Sequence, residues 1–477
     1  MTVRNQMGLL VGLSLLAVSA SAGAARAQGL EEALAQAYAT NPTLQTERAA
    51  LRATDEGVPQ ALSGWRPTVT VNGSLGEAFI STRRDGVGGS TNTTNTPASV
   101  GMRLSQPLYR GGATVAGTQR AENQVLSARA NLTDVEQQVL SAASTAYLNV
   151  VRDQSVVDLN ISNVQVLTRQ LEAARDRFEV GEVTRTDVSQ AEARVADAEA
   201  SRVEADGSLQ VSRANYQALI GQAPGTLSFP DLAQRVPLPS DLSGVVAQAL
   251  ESNPALARAR YAEQAALHDI SVAGAELLPE VTLDGELQRA WEPSTFFTRQ
   301  DSATIETNVT VPLYQSGAEY SRIRQLRQIA SQRRTELDQA RRTVTESGSQ
   351  TWENLLAARA RIMSFEASVQ SNEIALDGVK QEAEVGARTV LDVLDAEQEL
   401  FNAKVNLVRA QRDAAVATFE LARVLGTMTA QALNLPVTLY DPSEHYQEVR
   451  DKWIGFGSDY QGRGLFDGAS DMFDLFR

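Results

Sequence analysis

The sequence predicts an α+β membrane protein whose protomer is internally duplicated. Three observations lead there. Val385, Gly386, Thr389, Asp392 and Val393 repeat Val180, Gly181, Thr184, Asp187 and Val188 at a constant offset of 205 residues. Two unbroken helical patterns of about 65 residues, rods of about 100 Å, run into these two stretches. Each rod is preceded by two segments in which apolar and polar residues alternate, the period of an amphipathic strand.

Composition narrows the classes. The 477 residues contain no cysteine, only two histidines (His268 and His445) and 5% aromatics. Disulfides and thiolate metal sites are excluded, and little is left for histidine-based catalysis. Arg4, the apolar run Leu9 to Ala20 and the Ala25, Arg26, Ala27 triplet read as a secretory signal peptide over 1–27, cut between Ala27 and Gln28. Its removal takes two arginines and moves the net charge from −15 to −17. That charge disfavours nucleic acid as a partner. No other segment approaches the length of apolar helix that crosses a bilayer.

The first structural repeat spans 28–221. Leu30, Ala33, Leu34, Ala37 and Tyr38 share a helical face, which Asn41 and Pro42 break. A second helix from Thr43 towards Trp65 stops at Arg66 and Pro67. The period then changes to two. Strands are expected at 67–80 and 98–108, separated by a Gly/Asn/Thr-rich loop from Ser81 to Thr96. Pro107, Leu108, Tyr109 and Gly112 mark the passage into a long helix over 113–178. Its apolar residues step by threes and fours, as in a coiled coil. A tip at 179–187 leads to a shorter helix over 188–220. At each tip a glycine stops one helix, since glycine takes positive φ at little cost. Threonine and the aspartate three residues later form a capping box for the next.

A proline-containing linker, 222–241, precedes the second repeat, 242–435. Asn253 and Pro254 match Asn41 and Pro42 at an offset of 212, as Pro279 matches Pro67. Strands are expected at 280–292 and 302–313, with a short turn loop near Pro293 to Asp301. Pro312, Leu313, Tyr314 and Gly317 then repeat the first joint at the offset of 205. The long helix 318–384, the tip 385–391 and the short helix 392–425 follow. The tail 436–477 has no counterpart.

Four amphipathic strands and committed helices leave an apolar strand face without cover. In an exported chain this suggests a β-barrel in the outer membrane. The smallest such barrel has about eight strands, so several chains must share one. Asn72, Ser74, Arg103, Asp284, Glu286, Gln288, Glu306 and Asn308 fall on the opposite face and suit a watery lumen. Rods of about 100 Å far exceed the bilayer core of about 30 Å, so they must project into the periplasm.

The duplicated Asn-Pro helices, the proline–leucine–tyrosine joints and the two glycine–threonine–aspartate tips together resemble the TolC family of outer-membrane efflux and secretion ducts. The resemblance runs to about Pro436. It implies a trimer: a twelve-stranded β-barrel continuous with a twelve-helix α-barrel, girdled by inter-repeat and C-terminal segments. It further implies a periplasmic adaptor and an inner-membrane pump, either an ABC exporter or a proton-driven transporter, with no reaction and no cofactor. Drug-efflux and protein-secretion ducts share these motifs.

By the same resemblance, Asp187, Arg388, Asp392 and Asp395 would form the periplasmic gate. Arg388 would tie its hairpin to Asp187 of the neighbouring protomer, and the two later aspartates would form carboxylate rings. A tyrosine that makes a second tie in the best-known member is replaced here by Ala383. The plainer alternatives are that Arg388 pairs with Glu384 one turn back, that Asp392 caps its helix, and that Asp395 is a solvated charge. Val180, Gly181, Thr184, Val385, Gly386 and Thr389, flanked by Ala191 and Ala396, would receive the adaptor. Pro67, Pro107, Pro279 and Pro312 mark the strand–helix joints. Two competing readings are a secreted coiled-coil scaffold or adhesin stalk, which leaves the strands unexplained, and a carboxylate-pair glycosidase, which has no cleft at a strand end.

Overall fold

The computed structural model describes residues 29–83, 90–230, 238–294 and 297–455. The expected cleavage site at Ala27 and Gln28 and the end of the tail lie outside these residues. The first repeat opens with α1 (Leu30–Thr40), α2 (Pro42–Asp55) and α3 (Gly57–Leu62), and a 3-10 turn at Ser63–Trp65. It continues with β1 (Thr68–Leu75), β2 (Ala78–Arg83), β3 (Ser90–Asn95) and β4 (Ala98–Arg110), then α4 (Ala113–Glu179) and α5 (Arg185–Ile220). The second contains α6 (Leu242–Ser252), α7 (Pro254–Ala275), β5 (Glu280–Ser294), β6 (Phe297–Thr310), α8 (Ala318–Glu384) and α9 (Val390–Val424). The tail adds α10 (Glu444–Val449).

The two long helices, α4 and α8, have 67 residues each. In each repeat the shorter helices line up beside the long one: α2, α3 and α5 along α4, and α7 and α9 along α8. Asparagine makes each splice. Asn41 accepts from the Thr43 amide and donates to the Leu219 carbonyl, both at 3.0 Å. Asn253 does the same with Ala255 and Val424, again at 3.0 Å. One side chain thus caps α2 or α7 and satisfies a last-turn carbonyl of α5 or α9.

The largest apolar core lies where α1, α2, α4, α5 and α9 meet. Tyr147, Tyr216 and Phe419 are buried in it. Leu227 and Leu238 of the linker and Val437 and Tyr440 of the tail pack against the same core. The tail is held by guanidinium–ring stacking: Arg48 on Tyr440, Arg129 on Tyr446 and Arg66 on Trp453, each at 5.1 Å.

The main sheet is antiparallel in the order β1–β4–β5–β6. β2 and β3 form a second ladder that keeps the β1–β4 register, since Leu75 faces Ala98 and Ala78 faces Asn95. The expected strand 67–80 is therefore split at Gly76 and Glu77. Pro97 opposite has no N–H to offer, and only its carbonyl is used, by the Gly76 amide at 3.0 Å. The loop expected from Ser81 to Thr96 is in large part the distal half of this hairpin. Its threonines have strand propensity, which a count of glycine and asparagine obscures.

The other strand ends also move. β4 runs past Pro107 to Arg110 with a bulge between Pro107 and Tyr109, a place where a strand tolerates proline. β6 starts at Phe297 and stops at Thr310, so the expected 302–313 shifts towards the turn, and Pro312 lies beyond the strand. The loop expected at Pro293 to Asp301 is mostly paired strand, out to Ser294 opposite Phe297.

Candidate functional site at the hairpin tips

The two tips have the same backbone. Gly181 and Gly386 take φ of +79° and +75°. The amides of Gly181 and Glu182 return to the carbonyls of Phe178 and Arg177, at 3.0 and 2.9 Å. Those of Gly386 and Ala387 return to Ala383 and Glu382, at 3.1 and 2.9 Å. This is the Schellman arrangement, which satisfies the last carbonyls of α4 and α8. Three residues on, Thr184 and Thr389 cap α5 and α9. The Asp187 carboxylate accepts from the Thr184 amide at 2.8 Å, and the Asp187 amide donates to the Thr184 hydroxyl at 3.3 Å. Thr389 and Asp392 repeat the box at 2.9 and 3.3 Å. The Thr389 amide and hydroxyl hold the Asp392 carboxyl below its ordinary value.

Arg388 pairs with neither Glu384 nor, within one chain, Asp187. Its Nε donates to Glu382 Oε2 at 2.8 Å, which raises its pKa further. The expected pair with Glu384 fails because the left-handed Gly386 turns the chain back. The turn carries Arg388 over the residue six before it rather than four. Asp187 is engaged by its own Thr184. Asp395 is not a free surface charge. Arg194 Nη2 of α5 donates to Asp395 Oδ1 at 2.7 Å, bridging the first hairpin to the second. Beside this pair Leu394 is 1% exposed, packed among Leu167, Leu171, Ala174, Ala191 and Ala198.

Val180 and Val385 stand out at the tips, 72% and 81% exposed. Ala191 is fully buried between the two hairpins, so the expected groove for an adaptor cannot include it. Ala396 is half-buried.

Glu382 and Arg194 were not anticipated from the sequence. Glu382 escapes the usual helical spacing because the turn, not the helix, brings it to Arg388. Arg194 meets a residue 201 positions away and leaves no local signal.

At the other end of the molecule, Val69, Val71, Met102, Leu104, Leu287 and Ile305 are exposed on one face of the main sheet. In register with one another, they form apolar rows such as Val71, Met102 and Leu287. Thr70, Arg103, Glu286 and Thr304 make a polar row on the other face. There Asp284 accepts from Asn308 at 2.8 Å and from Thr282 at 2.9 Å. Of the joint prolines, Pro67 and Pro279 each stand one residue before a strand, at Thr68 of β1 and Glu280 of β5, whereas Pro107 lies inside β4. No helix among the described residues is long and apolar enough to cross a membrane. Among the same residues, no group of three or more His, Asp or Glu side chains is placed to hold a metal.

The chain is similar to known proteins over most of its length. The family described as Outer membrane efflux protein matches residues 33–222 and 245–427. The outer membrane efflux protein BepC of Brucella suis is 35% identical over 435 residues, covering 91% of this chain and 92% of BepC. The outer membrane protein TolC of Vibrio cholerae is 28% identical over 429 residues, covering 87% and 95% of the two chains. The crystal structure of the outer membrane protein VceC from Vibrio cholerae superimposes with a TM-score of 0.71 at 22% identity, over 83% of this chain and 96% of that one. The two matched stretches fall on the two repeats, and the chain belongs to the outer membrane efflux protein family.

Proposed function

We propose that three copies of this chain build one duct that carries cargo from an inner-membrane pump across the periplasm and out through the outer membrane. The observation that carries this is the main sheet. It has an uncovered apolar face, a polar opposite face and two open edges, β1 and β6. Open edges of a lipid-facing sheet must be paired. Four strands from each of three chains close a twelve-stranded barrel with the apolar rows towards lipid. The helices, about 100 Å long, continue that barrel as a tube of twelve. Residues 1–27 direct export, and the linker and tail girdle the tube at the core they share.

The tips form the periplasmic entrance. On assembly Arg388 exchanges Glu382 for Asp187 of the neighbouring protomer, and this contact holds the entrance shut. Asp392 and Asp395 face the axis there as two rings of carboxylates. The exposed valines, Val180 and Val385, with Gly181, Gly386, Thr184 and Thr389, receive an adaptor, which recruits an ABC exporter or a proton-driven pump. The duct itself catalyses nothing.

The absence of cysteine makes a direct test available. A cysteine on β1 (Asn72→Cys or Ser74→Cys) is combined with one on β6 (Thr304→Cys or Asn308→Cys), and outer-membrane fractions are oxidised. Covalent dimers and trimers are expected for at least one combination. Monomers alone in every combination would overturn the shared barrel. Arg388→Ser should raise single-channel conductance, and unchanged conductance would remove Arg388 from the gate.

A further inference from the structure

Arg194 lies on α5, outside the glycine–threonine–aspartate motif, and it ends on Asp395, three residues past the motif's own Asp392. Its guanidinium reaches Asp395 at 2.7 Å. Three other ion pairs lie near the tips. Arg175 pairs with Glu192 at 2.7 Å, Lys380 with Glu397 at 2.6 Å and Arg388 with Glu382 at 2.8 Å. The hairpins do not need Arg194 to stay together, because Leu394 is already sunk among the alanines and leucines of α4 and α5. An ion pair whose side chains are 36% and 55% exposed adds little stability. Its effect is electrostatic and local. It places a positive charge beside Asp395.

We infer that Arg194 is a specificity-determining residue of the entrance: it cancels the charge of the Asp395 ring. This rests on the duct reading, in which three protomers bring these aspartates around one axis. Fields from like charges around a narrow opening add, so the number of uncompensated carboxylates sets how strongly multivalent cations are held there. Restoring the second ring should therefore change cation block far more than it changes stability.

The test is block of single channels in planar bilayers by hexaamminecobalt(III), using the full-length oligomer. Arg194→Gln should lower the half-blocking concentration by about tenfold, as three carboxylates lose their countercharge. Arg194→Lys should stay near wild type. Exchanging the charges, Arg194→Asp with Asp395→Arg, should restore wild-type block, which a general loosening of the tip would not do. Arg194→Gln channels blocked as wild type, or an exchange variant that blocks like Arg194→Gln, would overturn the assignment while leaving the duct intact. A wild-type chain that forms no channels would overturn the duct and this inference with it.

Discussion

Gly426 and Ser252 pass so close that a Cβ built on the glycine would collide with the serine carbonyl, lying 3.0 Å from its carbon and nearer still to its oxygen. Gly426 also has φ of +75°. It follows α9 where the start of α7 is spliced to it. Gly386 has the same φ, but nothing lies within 4 Å of its missing Cβ. Gly386→Ala should therefore cost only the left-handed backbone, about 1–2 kcal/mol. Gly426→Ala adds steric strain and should cost about 3 kcal/mol or more. Thermal melts of the detergent-solubilised protein should rank them so, and equal losses would contradict the close approach.

The asparagine splices separate two roles of one side chain. Asn253→Asp keeps the acceptor for the Ala255 amide and loses the donor to Val424. Asn253→Ala loses both, which should cost about 1 kcal/mol for the cap and about 1–3 kcal/mol for the stranded carbonyl. The melting temperatures should fall in the order wild type, Asn253→Asp, Asn253→Ala. The same order should hold at Asn41.

The Asp392 carboxyl sits below its unfolded value of 3.8 because its ionised form accepts from the Thr389 amide and hydroxyl. A lowered folded value means the stabilisation is fully present above the unfolded value. It is lost as pH falls through the folded one. Amide exchange in the first turn of α9 should reveal a stable cap at about pH 6 and fraying only in strong acid. Asp392→Asn should remove that dependence. Fraying that begins near neutral pH would contradict the capping box.

Asp55 behaves oppositely. It is fully buried, its Oδ1 has no hydrogen-bond partner among the described residues, and its Oδ2 lies 3.3 Å from His445 Nδ1 of the tail. Burial raises its pKa, more than contact with His445 lowers it. A raised carboxyl binds its proton more tightly when folded, so its contribution declines as pH rises from 3.8 through the folded value. Asp55→Asn should flatten that slope in melts recorded across mildly acidic pH. A slope unchanged by the substitution would assign it elsewhere.

What the sequence revealed follows from how locally each feature is encoded. Gly386, Thr389 and Asp392 specify a turn and a cap within seven residues, so both tips could be read directly. The Asn-Pro splices were visible as motifs, but their reach to Leu219 and Val424 depends on how helices stack. The distal hairpin was missed because Thr91, Thr93 and Thr94 form strands only when a partner is in register. Pro107 and Pro312 look equivalent in sequence, yet one lies in a bulge and the other past its strand. Only the pairing of β4 with β5 distinguishes them. Arg194 could not be paired with Asp395 until the two hairpins were packed around Leu394.

Conductance measures the central claim most directly. The purified full-length chain, applied to a planar lipid bilayer, should insert as oligomers that resist heat and detergent, giving discrete current steps of uniform size. A monodisperse, water-soluble monomer that leaves the bilayer silent would contradict the account.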